Sequence, residues 1–217
     1  MSSRSNVNAA PSDGGRLETR DRLLDAAERL FARDGIARTS TRAILEAAGQ
    51  RNESALQYHF GGRQGLLEAM HRRRMLEAQE RRRERLDALA ARNEPPSVRE
   101  LCETMLLPMV ELARTSPGFV AYLCAVGDVV FAPRQQLAGT LARNERSEAR
   151  LLRKRLERSA DWIPQATLRR RLDLARRFTI MALSQWAREH HDFRGDAAER
   201  FVADVLDMTE GMLSAPE

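Results

Sequence analysis

Cysteine is scarce in this 217-residue chain, with only Cys102 and Cys124. Two thiols cannot make a disulfide framework, so the expectation is a reducing, cytoplasmic setting with buried, inert thiols, oxidant sensing being the alternative. Long apolar runs are also missing. The longest nearly apolar stretch, Phe119 to Gly127, closes at Asp128, whereas a membrane span needs roughly 20 residues, so no membrane segment is expected. Residues 1–15 are small and polar with no apolar segment, which argues against a secretory signal and for a disordered leader. No stretch alternates apolar and polar residues between turn dipeptides, so no sheet is expected. G-x-S-x-G, the P-loop, H-E-x-x-H and G-x-G-x-x-G are all absent. No enzyme is expected, and no cofactor or catalytic residue is assigned.

What is present is a chain 42% hydrophobic and 31% charged, with 36 Lys+Arg against 31 Asp+Glu and a formal net charge of +5. The excess is uneven. Residues 1–35 balance, residues 36–74 hold seven arginines against three acids, and the rest is close to neutral. A basic segment of about forty residues suits a polyanion, since each neutralised phosphate releases condensed counterions. An Arg-rich helix that is merely solvated is the alternative.

Helical periodicity runs through the chain, and the fold class is all-α. Leu23, Leu24, Ala27, Leu30 and Phe31 form a stripe that stops at Asp34-Gly35. Thr39, Ser40 and Thr41 offer N-caps for a two-turn helix over 41–48 ended by Gly49, and a third helix over about 53–59 ends at Gly61-Gly62. A long helix follows from Arg63. Its Arg72–Arg74 and Arg81–Arg83 runs read as a solvated face paired with Glu77, Glu80 and Glu84. Ser97 to Glu100 is a capping box, Pro108 suggests a kink, and Ser116-Pro117 restarts the chain. Residues 134–160 suggest one or two helices and residues 165–190 another, and Asp196 to Glu199 reads as a second capping box.

Two short helices joined by a Gly-containing turn, inside the basic segment, form a helix-turn-helix pattern. The ordered residues Leu23 to Phe31, Gly35, Thr39 to Ile44, Ala47-Ala48-Gly49, Tyr58 to Gly61 and Leu66-Leu67 resemble the N-terminal region of the TetR family of one-component transcriptional regulators. The spacing between Gly49 and His59 is one residue longer than the commonest in that family. The resemblance implies a homodimer with DNA-binding domains at residues 16–62. Residues 63–217 would form a helical body that binds a small effector and releases a palindromic operator.

Side-chain chemistry nominates the contacts. Arg pairs with guanine, and Asn or Gln with adenine, so Arg51, Asn52 and Gln57 are candidates for base reading, with Ser54 beside them at the helix start. Tyr58 and His59 suit phosphates, although both could pack against the first helix. Thr39, Ser40, Thr41, Arg42 and Arg63 suit backbone positioning, with capping and solvated charge as the alternative.

For the effector pocket the candidates are Met105, Met109, Phe119, Tyr122, Leu123, Phe131, Phe178, Met181 and Trp186, which equally fit a plain core. Two apolar stripes on the last helix and an apolar face on the one before suggest a dimer seam through Leu168, Leu172, Phe201, Val205 and Met212, or one larger core covering both faces. His190-His191 reads as helix capping in preference to metal binding. Kept open beside the regulator is a helical module for protein interaction, membrane-surface binding or small-molecule processing, without sequence-specific DNA binding.

Overall fold

A computed structural model describes residues 13–52, 54–92, 94–130 and 162–216, all helices and short connections among these residues. The helices are α1 (Asp13–Asp34), α2 (Thr41–Ala47), α3 (Ala55–Phe60), α4 (Arg63–Ala90), α5 (Val98–Thr115), α6 (Pro117–Val130), α7 (Gln165–His190) and α8 (Asp196–Ser214). The expectation of one or two helices over 134–160 lies outside the described residues, as do residues 1–12. Asp13 to Gly15 are the first turn of α1, so helix begins inside the segment expected to be disordered. No described helix is long and apolar enough to cross a membrane.

Local chemistry explains most boundaries. Both bonds of the capping box at α5 form: Glu100 N donates to Ser97 Oγ (3.1 Å) and Ser97 N donates to the Glu100 carboxylate (2.8 Å). α5 continues through Pro108. At α6 the Ser116 hydroxyl accepts from Phe119 N (3.2 Å) and Pro117 takes the first helical position. The second expected capping box is not there. Gly195 is the N-cap of α8, so Asp196 and Glu199 sit inside the first turn, where carboxylates favour the positive end of the helix dipole. His191 is the left-handed C-cap of α7 (φ 54°), and His190 lies 4.0 Å from the Trp186 ring.

α1 lies on α6 and α2, α6 on α7, α8 on both α5 and α7, and α4 on α5 and α3. One apolar core runs from Leu23 through Ile44, Leu66, Leu101, Phe119 and Leu123 to Leu183 and Leu213. Cys102 and Cys124 are buried in it, and burial pushes both thiols up, Cys102 to about 12.

A polar cluster interrupts that core. Glu28 of α1, 1% exposed, takes a bidentate pair from Arg74 of α4, with Nε to Oε1 at 2.9 Å and Nη2 to Oε2 at 2.5 Å. Arg73 Nη2 lies 2.8 Å from both Glu28 and Asp25. Arg74 also donates to Glu77 at 3.0 Å, the i,i+3 pair expected from sequence. Arg73 and Arg74 are therefore not a solvated face: α1 is laid against them. Gly118 of α6 leaves the room, because a Cβ there would intrude on the Arg74 guanidinium.

Removing Glu28 takes the buried carboxylate away from buried Arg74 and half-buried Arg73, leaving them only Glu77 and Asp25. Glu28→Ala should cost roughly 3–5 kcal/mol, and Gly118→Ala, which overpacks the same point, roughly 1–3 kcal/mol. Urea denaturation tests both, and unchanged midpoints would show the cluster to be dispensable.

A second buried polar pair joins α4 to α6, with His71 Nδ1 2.8 Å from the Tyr122 hydroxyl. Burial first, and then Arg176, hold the imidazole down to about 4. Between that value and about 6.5 the unfolded chain binds a proton that the folded chain refuses. Stability should therefore fall as pH drops through this window, by up to about 3 kcal/mol. The pH dependence of urea midpoints in wild type and His71→Gln checks this, and the variant should lose that slope.

Candidate nucleic-acid interface

The turn between α2 and α3 is closed by backbone. Gly49, at φ 69°, donates its N–H to Glu46 O (3.0 Å) while Gln50 N donates to Leu45 O (2.8 Å), the paired bonds of a Schellman end. An Asx turn leads into α3, with Asn52 Oδ1 accepting from both Ser54 N (2.9 Å) and Ser54 Oγ (2.7 Å), and Ser54 is the N-cap residue. Gly61, also at φ 69°, ends α3 with its N–H on Gln57 O (2.9 Å). Ile44, Leu45, Ala55 and Leu56 bury the inner faces of both helices.

Two of the residues expected to hold DNA face inward instead. Thr39 is buried, and its hydroxyl donates to Gly35 O (2.9 Å) and lies 3.3 Å from Leu30 O. Arg63 donates to Thr39 O (2.6 Å) and to Ile36 O, with its guanidinium 5.3 Å from the Phe31 ring, and burial lowers its pKa. The chain from α1 to α2 carries carbonyls that need donors at this point, and Arg63 supplies them. Ser40 caps α2 by accepting from Ala43 N (3.1 Å), Thr41 is half-buried in its first turn, and exposed Arg42 pairs with Glu46 at 2.9 Å.

The remaining candidates form an outward face. Arg51, Asn52, Ser54, Gln57 and Tyr58 are exposed. Among the described residues Arg51 has no hydrogen bond or ion pair, and it borders a groove of about 530 Å³ with Arg42, Leu45, Glu46, Gly49 and Gln50. His59 is half-buried and meets the Tyr58 ring edge-on at 5.0 Å. Burial, Arg16 and Arg20 lower its pKa, so the imidazole is neutral near pH 7. Residue 53 lies outside the described residues.

Two arginines of α1 join this face unforeseen: Arg16 stands 5.1 Å over the Tyr58 ring and Arg20 5.3 Å over Phe60. The zero net charge of residues 1–35 hid them.

Residues 23–70 match the family model described as bacterial regulatory proteins, tetR family. This stretch has the tetR-family pattern. Most of the chain is similar in fold to solved structures, among them the following three. A TetR family transcription regulator from Marinobacter aquaeolei VT8 is 16% identical, with 93% of this chain and 98% of that one covered and a TM-score of 0.60. A Rhodococcus sp. protein assigned to the same family is 20% identical, with coverage of 91% and 100% and a TM-score of 0.63. KstR2 of Mycobacterium tuberculosis, a ketosteroid transcriptional regulator, is 18% identical, with coverage of 88% and 93% and a TM-score of 0.56. No curated protein matches by sequence. At these identities the likeness is one of fold: a tetR-type helix-turn-helix domain followed by a helical C-terminal domain.

In that helical domain the expected pocket residues separate. Phe119, Tyr122, Leu123 and Met109 are buried core, Met105 is half-buried, and Phe131 lies outside the described residues. Trp186 packs elsewhere, stacked on Phe201 at 4.3 Å with Nε1 donating to Asp192 O (2.7 Å). Phe178 and Met181 line an open cleft of about 340 Å³, with Gly127, Ala182, Ser184, Gln185 and Arg188.

Of the expected seam, Leu168 and Val205 are buried within the chain, because α8 packs on both α5 and α7, and so they offer no surface to a partner. Leu172, Phe201 and Met212 are half-buried, while Leu174, Met181 and Met208 are exposed. No three His, Cys, Asp or Glu side chains converge on a metal-sized site among the described residues.

Arg63 serves the tetR-family domain as a brace. Arg63→Met should therefore lower stability without DNA, by roughly 1–3 kcal/mol for the carbonyls left unpaired. Thermal unfolding checks it, and a variant as stable as wild type would return Arg63 to the list of DNA contacts.

Proposed function

We propose that this chain is a ligand-responsive transcriptional regulator, a homodimeric repressor that leaves a palindromic operator when a small molecule binds its body. The observation that carries the reading is the outward face of α3 and its turn. Arg51, free of partners among the described residues, stands in the turn ahead of α3, and Gln57 and Tyr58 stand on that helix, which is fixed from behind by Ile44, Leu45 and Leu56. A guanidinium fork suits guanine N7 and O6, and a carboxamide suits adenine. Asn52, with its carbonyl oxygen engaged by Ser54, keeps only its amide donors for DNA. Tyr58, His59, Ser40, Thr41 and Arg42 would serve as backbone contacts.

The cleft beside Phe178 and Met181 supports an effector site, apolar along α7 and polar at Ser184 and Arg188. Exposed Leu174 and Met208, with half-buried Leu172, Phe201 and Met212, support a seam between two copies along α7 and α8. Two copies would present their α3 helices to half-sites about one helical turn apart.

The test is a binding titration of the purified protein on the DNA upstream of its own gene and on random duplex. Wild type should prefer the upstream fragment. Arg51→Ala and Gln57→Ala should each reduce that preference by roughly 1–3 kcal/mol, about 5-fold to 150-fold. Equal losses on both DNAs would make either residue a phosphate contact. No salt-sensitive binding to either DNA would end the reading.

A further inference from the structure

We propose that Arg16, at the start of α1, together with Tyr58 of α3 forms a DNA-phosphate site beside the recognition helix, so that α1 grips the backbone next to the groove α3 enters. The inference rests on the DNA-binding reading and adds to it an element outside the helix-turn-helix.

The geometry has three parts. Arg16 is exposed, with its guanidinium carbon 5.1 Å from the centroid of the Tyr58 ring. Tyr58 is itself 58% exposed, so the pair stands at the surface and is not a core contact. The neighbouring acids of α1 are directed to other arginines: Glu18 lies 3.8 Å from Arg22, and Asp21 lies 3.9 Å from Arg20. Arg16 has no ion pair among the described residues, and the Tyr58 ring is the contact the structure gives it.

A guanidinium over a ring face leaves its N–H donors free at its edge, and the phenol hydroxyl of that ring is a further donor. Two adjacent donors, one permanently charged, match the oxygens of one phosphate diester. Arg20, 5.3 Å over Phe60, adds positive potential behind the pair. Such a site is indifferent to base sequence and fixes register and orientation on the duplex.

Full-length protein, random-sequence 30-bp duplex DNA and a salt titration test the proposal, because each phosphate neutralised contributes about 0.9 to the slope of log K against log salt. Arg16→Ala should reduce the slope by about 0.9, and Arg16→Lys, which restores charge, should recover most of it. Arg22→Ala removes a neighbouring charge of the same helix and should leave the slope at the wild-type value. Thermal unfolding confirms that the Arg16 variants stay folded. A wild-type slope in Arg16→Ala, with DNA binding intact, overturns the proposal and reduces Arg16 to a cover for Tyr58. A wild-type protein without salt-dependent binding defeats the DNA-binding reading, and the Arg16 site with it.

Discussion

The architecture turns on one carboxylate. Glu28 enters the core from α1, 1% exposed, and is held by Arg74 and Arg73 of α4 above the glycine-permitted start of α6. An isolated carboxylate at such a place would cost several kcal/mol in lost hydration. Here two guanidinium groups offset it, and Asp25 and Glu77 share the positive charge in turn. The result is a fixed point common to three helices. α1 carries α2 on its flank, α4 carries α3, and α6 leads into the body through α7. The orientation of the recognition helix relative to the body is thus referred to this cluster and to the apolar residues around it.

A division of labour follows within the helix-turn-helix. Residues that build it face its backbone: Thr39 and Arg63 answer the carbonyls between α1 and α2, Ser40 begins α2, and Asn52 leads into α3. Residues available to a partner are those that the frame does not require. Arg51, Gln57 and Tyr58 belong to this second group. The distinction is not one of residue type, since arginine occurs in both groups. Arg63 lies beneath the loop it braces, while Arg51 stands in the turn ahead of α3, and position in the folded chain decides between clamp and contact.

How much was legible in the sequence follows the range of the interactions. α2, α3, the Gly49 turn and the capping box at Ser97 are local, and each depends on residues within about four positions, so pattern reading finds them. The i,i+3 bond from Arg74 to Glu77 was legible for the same reason. The bond from Arg74 to Glu28 spans 46 positions and was not. Read along its own helix, the Arg72–Arg74 run looks solvated, because nothing in α4 announces that α1 will cover it. Arg16 and Arg20 were missed in the same way, since their partners Tyr58 and Phe60 lie on another helix. The second capping box failed for a local reason: Gly195, at a positive φ of 83° that favours glycine, takes the N-cap position and moves Asp196 one position into the helix.

The same argument explains why a body of nearly balanced charge still carries so many arginines, with Lys154 as the only lysine of the chain. In the body they act as clamps on carbonyls. Arg171 donates to Leu213 O (3.3 Å), Ala215 O (2.6 Å) and Pro216 O (3.1 Å), gathering the end of α8, where helix carbonyls lack partners and the dipole is negative. Arg188 sets Nε and Nη2 on Cys124 O at 2.9 and 2.6 Å, pinning α7 to α6. Arg114 joins Phe193 O (2.9 Å) to Glu199 (2.6 Å) and so fixes the connection into α8. A lysine offers one compact charge on a flexible stem and cannot bridge two or three acceptors in a plane as a guanidinium does. Arginine enrichment by itself therefore does not mark a nucleic-acid surface in this chain. Nor does the lack of a carbonyl or carboxylate partner mark one, since Arg29, Arg72 and Arg200 are also exposed without such a partner among the described residues. What sets Arg51 and Arg16 apart is position, in the turn ahead of α3 and over the ring of its Tyr58.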